Sequence, residues 1–348
     1  MSLDPSRAAR FDPPAGWIRI RAIDAHTEGE PLRVITGGFP QPQGKTILER
    51  RRWARDHLDH LRTALMWEPR GHADMYGCLI MPPATADADF GVLFLHNEGY
   101  STMCGHGIIG VTKVALEIEI VPKTEPVTMV HIDAPAGRIT AFAVVRDGRV
   151  GRIAFRNVPS FAAALDESVD VPGIGAVRYD LAFGGAFYAY VDAAAMGLPL
   201  EPGNVRALID TGMAIKRAVA GSRAIEHPTE PDLGFLYGTI FTGPPASPGA
   251  DARNVCIFAD GEVDRSPTGT GVSGRIALHF ARGEVRMGEP RVIESIIGSR
   301  FTVRAVEETR CGPHDAVIPE VEGGAWITGR AEFLIDPDDP LRDGFLVR

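Results

Sequence analysis

What this sequence lacks narrows its possible roles first. No window approaches the roughly 18 uncharged apolar residues of a membrane-crossing helix, and the opening MSLDPSRAARFDPPAGW has no apolar core of the kind a secretory leader needs. Cysteine is sparse: Cys78, Cys104, Cys256 and Cys311 are scattered, with no CxxC pair and no metal-ligand spacing. Basic runs are missing too, and a formal charge of −9 over 348 residues argues against nucleic acid as a partner. A local pocket for a small anion stays open. Dispersed thiols without a leader predict a reduced, cytoplasmic protein with no membrane partner.

What is present fits a globular protein. Hydrophobic residues make up 45% and charged residues 23%, enough apolar material for two ordinary domains. The first ~15 residues show no periodicity and are set aside.

The informative feature is an internal repeat. Cys104-Gly-His-Gly-Ile-Ile-Gly110 and Thr268-Gly-Thr-Gly-Val-Ser-Gly274 hold three glycines in the same register, 164 residues apart. Glu125-Pro126 and Glu289-Pro290 repeat at that offset. Arg138-x-Thr140-x-x-Ala143-Val144 returns, two residues slipped, as Arg300-x-Thr302-x-x-Ala305-Val306. Three matches in order indicate duplication, so two halves are expected, residues 17–162 and residues 163–348, with the C-terminal segment free to return to the first half.

Local patterns agree between the halves. An apolar, β-prone run precedes each glycine cluster, Phe90–Leu95 and Val255–Ala259. Helical spacing follows in Ile108, Val111, Ala115 and Ile118, and again in Val272, Ile276 and Phe280. Val121-Pro122 stops the first helix and Gly283 caps the second. Asp147-Gly148 marks a tight hairpin. Each half therefore reads as strand, glycine loop, buried helix and more strands, an α+β fold rather than a regular βαβ alternation.

A glycine turn entering a helix leaves N–H groups unpaired at the positive end of the helix dipole. That place suits a carboxylate or phosphate, and its field is expected to lower the pKa of a cysteine there, here Cys104. Neither cluster has the GK[ST] ending of a phosphate loop. Duplication puts positions 104 and 268 on opposite sides of whatever lies between two such helix starts, in a cleft between the halves.

Met103-Cys-Gly-His-Gly-Ile-Ile-Gly110 and Asp264-Arg-Ser-Pro-Thr-Gly-Thr-Gly271 resemble the paired signatures of the proline racemase family. Asp24-Ala-His-Thr-Glu-Gly-Glu-Pro-Leu-Arg33, Arg70-Gly-His-Ala-Asp-Met-Tyr-Gly77 and Phe183-Gly-Gly-Ala-Phe-Tyr188 support the likeness in family order. The resemblance implies two pseudo-symmetric α+β halves, each a curved sheet around a central helix, as in diaminopimelate epimerase, with the active site between them. It assigns the substrate's ring ammonium to Asp264, whose counterpart in the first half is Tyr100. It implies two facing cysteines, one taking an α-proton and the other returning one. This chain departs from that pattern at Thr268, and a hydroxyl is a very poor acid or base near neutral pH.

The Cys/Thr branch of the family implies loss of water from trans-3-hydroxy-L-proline to give pyrroline-2-carboxylate. Cys104 is then the proton acceptor, and its thiol or His106 protonates the leaving hydroxide. The backbone N–H groups of Gly105, His106, Gly269 and Thr270 are expected to hold the carboxylate. No cofactor motif occurs, and thiol chemistry needs none. The competing readings are a proline racemase or hydroxyproline epimerase, a non-catalytic imino-acid-binding protein, and a cysteine hydrolase. His26 is expected to line the cleft or fasten a loop. His72, His96 and His279 are expected to be structural, Cys78 and Cys256 inert in the core, and Cys311 a loop thiol. A homodimer is compatible with the sequence, which does not fix the assembly.

Overall fold

A computed structural model describes Ser6 and residues 11–347. The chain begins with β1 (Ile18–Thr27) and β2 (Glu30–Gly37), then α1 (Ile47–His57) and α2 (Asp59–Met66). Strands β3 (Tyr76–Met81), β4 (Phe90–His96) and β5 (Tyr100–Ser101) lead into helix α3 (Gly105–Glu117). Strands β6 (Val127–Ala134), β7 (Gly137–Arg146), β8 (Arg149–Arg156) and β9 (Phe161–Val171) follow.

The order then repeats. Strands β10 (Gly175–Phe183) and β11 (Phe187–Asp192) precede α4 (Val205–Ser222), and β12 (Leu236–Gly243), β13 (Ala252–Phe258) and β14 (Glu262–Val263) lead into α5 (Gly269–Ala281). The chain closes with β15 (Arg291–Glu294), β16 (Arg300–Cys311), β17 (His314–Gly323) and β18 (Ala325–Ile335).

Pairing follows the duplication strand for strand. Strand β2 runs parallel to β3 as β11 does to β12, and β4 is parallel to β6 as β13 is to β15. Strand β9, at the junction of the halves, pairs with β10, and β18 returns to the first half to pair with β1. Strands β8 and β17 pair antiparallel, Glu320 opposite Arg156, so the two curved sheets join in one 18-stranded ladder among the described residues.

Each sheet wraps one helix. α3 packs on β1, β2, β7, β8 and β18, and α5 on β9, β10, β11, β16 and β17. That position explains their composition. Ile108, Ile109, Val111, Val114, Ala115 and Leu116 make α3 mostly apolar, and all six are buried, while Lys113 and Glu117 near its end are partly exposed. A helix this apolar belongs in a core, where each large aliphatic side chain contributes roughly 1.5–3 kcal/mol.

The punctuation also lies where the residues indicate. α3 ends at Glu117, ahead of Val121-Pro122, and Gly283 (φ +70°) follows α5, its N–H donating to the Phe280 carbonyl. Asp147 and Gly148 both take positive φ in the β7–β8 hairpin. Cys311 differs from its expected loop setting: it is the last residue of β16, its Sγ 3.7 Å from His227 Nε2.

Candidate active site

The two central helices begin face to face in the interior. A Cβ added to Gly105 would lie 2.5 Å from the Cα of Gly269, and one added to Gly269 would lie 2.6 Å from the Cα of Gly105. Only glycine on both sides permits this approach. The relation extends one turn further. A Cβ on Gly107 would strike Cys104 Sγ at 3.0 Å, and one on Gly271 would strike the Thr268 side chain at 3.1 Å. The repeated glycines thus place Cys104 and Thr268 in corresponding positions at the two helix starts.

Around them closes a cavity of about 20 Å³, lined by Cys104, Gly105 and His106 from one half and by Asp264, Thr268, Gly269 and Thr270 from the other. Every site residue read from the sequence is therefore at one place. Tyr76, Met103, Tyr188, Tyr237 and Phe258 complete the wall. Tyr76 and Tyr188 lie within motifs already quoted, so a signal for them existed. Tyr237 lies in no motif. The volume suffices for about one water.

Cys104 is the N-cap of α3, and its Sγ accepts a hydrogen bond from Gly107 N at 3.2 Å. The expected lowering of its pKa does not hold in the closed site. Burial pushes the thiol well above its ordinary range, the nearby charges of Asp264 and Glu30 raise it further, and contacts with Tyr76 and Gly107 offset only part. Desolvation of the thiolate outweighs the helix field.

His106 Nδ1 lies 3.2 Å from Cys104 Sγ, with the ring edge-on to Tyr76. Burial pushes its pKa down to about 3, so the ring is neutral near pH 7, while a hydrogen bond involving Pro31 pulls weakly the other way. Thr27 Oγ1 donates to the His106 carbonyl at 2.8 Å.

Across the cavity Thr268 has φ +67°, unusual for a β-branched residue. Its buried Oγ1 lacks a well-formed hydrogen bond, although the Asp264 carboxyl and the Cys256 thiol are close enough to feel the hydroxyl. Tyr188 Oη meets Thr270 Oγ1 at 2.7 Å, and Tyr190 Oη donates to the Gly271 carbonyl at 2.7 Å. Both bonds fix the first turn of α5.

Asp264 combines two settings. Its Oδ1 accepts from Ser266 N at 2.7 Å, a local turn bond, while the carboxyl lines the cavity. Burial raises its pKa to about 6 against the pull of Ser266 and of the nearby Thr268 hydroxyl. The loop around it is tied to the other half: Arg265 N donates to Glu30 Oε2 at 2.7 Å, and the Arg265 guanidinium pairs with Asp74 at 3.0 Å. Burial, followed by the charge of Asp264, pushes the Glu30 carboxyl well above the usual carboxylate range. Tyr100 instead faces α1, where its carbonyl accepts from Arg51.

The remaining histidines lie off the cavity wall. His26 Nδ1 accepts from Gly29 N at 3.2 Å and stacks on Trp326, so it fastens the β1–β2 turn. His96 packs on Tyr76 and Tyr237, its Nδ1 3.6 Å from the buried Glu262 carboxyl. His72 contacts the Ala73 carbonyl, and His279 contacts Glu284 at the end of α5. Cys78 and Cys256 lie buried in β3 and β13, their thiols pushed up chiefly by burial. Among the described residues, no group of three or more His, Cys, Asp or Glu side chains is arranged to hold a metal.

Comparison with known proteins gives one answer on kinship. The sequence pattern of the proline racemase family matches residues 22–346. A trans-3-hydroxy-L-proline dehydratase of Colwellia psychrerythraea is 50% identical, covering 95% of this chain and 94% of its own. A 3-hydroxyproline 2-epimerase of Burkholderia multivorans is 47% identical over 94% and 98% of the two chains. Among solved structures, a hydroxyproline epimerase from Agrobacterium vitis with bound trans-4-hydroxy-L-proline superposes with a TM-score of 0.91. It is 34% identical over 96% of each chain.

Proposed function

This chain belongs to the proline racemase family, and from that premise we propose that it acts as a trans-3-hydroxy-L-proline dehydratase, a hydro-lyase on a small imino acid. Curated relatives of that name match at 47–50% identity over about 95% of the chain. The observation that carries the reading is the pairing across the cavity: one buried thiol, Cys104, and opposite it a hydroxyl, Thr268. A thiol can exchange a proton at working pH and an aliphatic hydroxyl cannot. One-sided chemistry follows.

The proposed roles follow from stereochemistry. In trans-3-hydroxy-L-proline the hydroxyl and carboxylate lie on opposite ring faces, so the α-hydrogen shares the face of the hydroxyl. A single base on that face takes the α-proton and lies beside the departing oxygen. Cys104 thiolate takes the proton, the Cα–H electrons form the Cα–Cβ double bond, and the C–O bond breaks. The new thiol returns the proton to the hydroxide, which leaves as water, and the enamine tautomerises to pyrroline-2-carboxylate. His106, neutral with a pKa near 3, is a poor proton source. The thiol is therefore the donor.

Asp264 takes the ring ammonium, a charge-assisted pair. That cation neutralises the carboxylate which otherwise raises the Cys104 pKa, so binding favours the thiolate. The N–H groups of Gly105, His106, Gly269 and Thr270 converge on the carboxylate, where charge develops as the α-proton leaves. Thr268 occupies the second cysteine's place and transfers no proton. We take the halves as residues 17–162 and 163–348. A cytoplasmic location, supported by four dispersed free thiols, and a homodimer complete the proposal.

The relative named as a 2-epimerase keeps a second reading in view, an isomerase that uses another acid in place of Thr268. One experiment separates the two. The protein is incubated in heavy water with trans-3-hydroxy-L-proline, trans-4-hydroxy-L-proline and L-proline. Pyrroline from the first alone is expected, and it should vanish in Cys104→Ala. Deuterium incorporation with inversion in place of pyrroline would establish the isomerase, and most activity surviving in Cys104→Ala would remove the thiol from the mechanism.

A further inference from the structure

Tyr237, the second residue of β12, is buried at 7% exposure and lines the cavity that holds Cys104. Its hydroxyl is buried with no hydrogen-bond partner. Such a group is costly, about 1–3 kcal/mol, and a native fold that keeps one at a cavity wall has a use for it. The ring is held firmly. Its centroid lies 5.4 Å from that of Phe258, 5.8 Å from His96 and 5.9 Å from Tyr188.

Its neighbours place the hydroxyl on the thiol side of the cavity. It lies near the Tyr76 hydroxyl, which in turn faces Cys104. Tyr76 Oη also meets Ser101 Oγ at 2.5 Å, so it bridges Ser101 and the thiol side of the cavity. The buried O–H is thus held on the Cys104 side of the cavity, the side on which the proposed mechanism puts the α-proton and the 3-hydroxyl.

We propose that Tyr237 is a further catalytic residue, donating a hydrogen bond to the 3-hydroxyl of the substrate as its C–O bond breaks. The inference rests on the dehydratase reading and adds the group that stabilises the leaving oxygen. Tyr237 keeps its own proton throughout. The proton that makes water comes from the Cys104 thiol, and the phenol only shares its hydrogen with the oxygen as negative charge builds there. Burial, with the charges of Glu262 and Cys104, holds its pKa well above the usual phenol range, so it remains a donor at any working pH.

The test is Tyr237→Phe, which keeps the ring and its packing, assayed on two substrates. On trans-3-hydroxy-L-proline kcat should fall about 100-fold, the usual loss when a donor to developing charge is removed, with KM little changed. On trans-3-chloro-L-proline, whose chloride leaves without a strong hydrogen bond, kcat should fall by less than ~5-fold. Turnover of the chloride also shows that the variant is folded and that Cys104 still works. An equal loss on both substrates would make Tyr237 a packing residue, and an unchanged rate on the hydroxyl substrate would leave it no part in the reaction. Either result overturns the proposal. If the unaltered protein releases chloride from the analogue but forms no pyrroline from the hydroxyl substrate, the dehydratase reading itself fails, a separate and recognisable outcome.

Discussion

Gly105 and Gly269 touch backbone to backbone, each in the space the other's Cβ would need. This contact sets how closely the two helix starts and Cys104 approach the opposite half. Gly105→Ala must push α3 and α5 apart. It should cost roughly 1–3 kcal/mol by overpacking, and misplacing the reacting groups should lower kcat/KM by about 100-fold. Gly221→Ala near the end of α4 meets nothing within 4 Å and should stabilise by about 0.5–1 kcal/mol without touching activity. Denaturation midpoints and steady-state kinetics on the two variants check both halves of the prediction.

Asp264 couples activity and stability to pH in opposite directions. Its pKa in the folded protein is raised to about 6, above the ~3.9 of an unfolded aspartate. The folded state therefore holds the proton more tightly. This contribution to stability is fully present below about pH 4 and is lost as pH rises through 6. Asp264→Asn should then be more stable than the parent at pH 7.5, by on the order of 1–3 kcal/mol, and the difference should close toward pH 4. With Asp264 as the proposed partner of the ring ammonium, activity runs the other way: the ionised carboxylate is needed, so kcat/KM should fall as pH drops below 6. Urea unfolding at several pH values, set beside the pH–rate profile, tests the sign. A less stable Asn variant at pH 7.5 would contradict it.

In the proposed mechanism Thr268 decides which reaction the thiol serves. A thiol is a far better acid and base than an aliphatic hydroxyl, so Thr268→Cys should add α-deuterium to trans-3-hydroxy-L-proline with inversion, giving cis-3-hydroxy-D-proline beside the pyrroline. Thr268→Ser keeps a hydroxyl and should show dehydration alone. Chiral chromatography and mass spectrometry of the products resolve the two. No inversion from Thr268→Cys would contradict the role given to this position.

The glycine register, the strand before each cluster and the apolar helix after it were legible because they are local and occur twice. The same repetition made Cys104, Gly105, His106, Thr268, Gly269 and Thr270 readable as one site, and the cavity collects all of them with Asp264. Helices α1, α2 and α4 were not read, since they lie outside the duplicated signal. The join of the two sheets through β8 and β17 depends on pairing between residues far apart in the chain.

The sequence by itself determined the kinship, the duplication and the identity of the two facing side chains, because those rest on which residues stand at which spacing. The tertiary structure decided their state. Burial raised Cys104 where a helix start alone would have lowered it, neutralised His106, and lifted Asp264 to about 6. It also brought Tyr237, which no motif marks, to the cavity wall with its hydroxyl unpaired. Desolvation and orientation depend on everything packed around a group, and that surrounding exists only once the two halves have closed on each other.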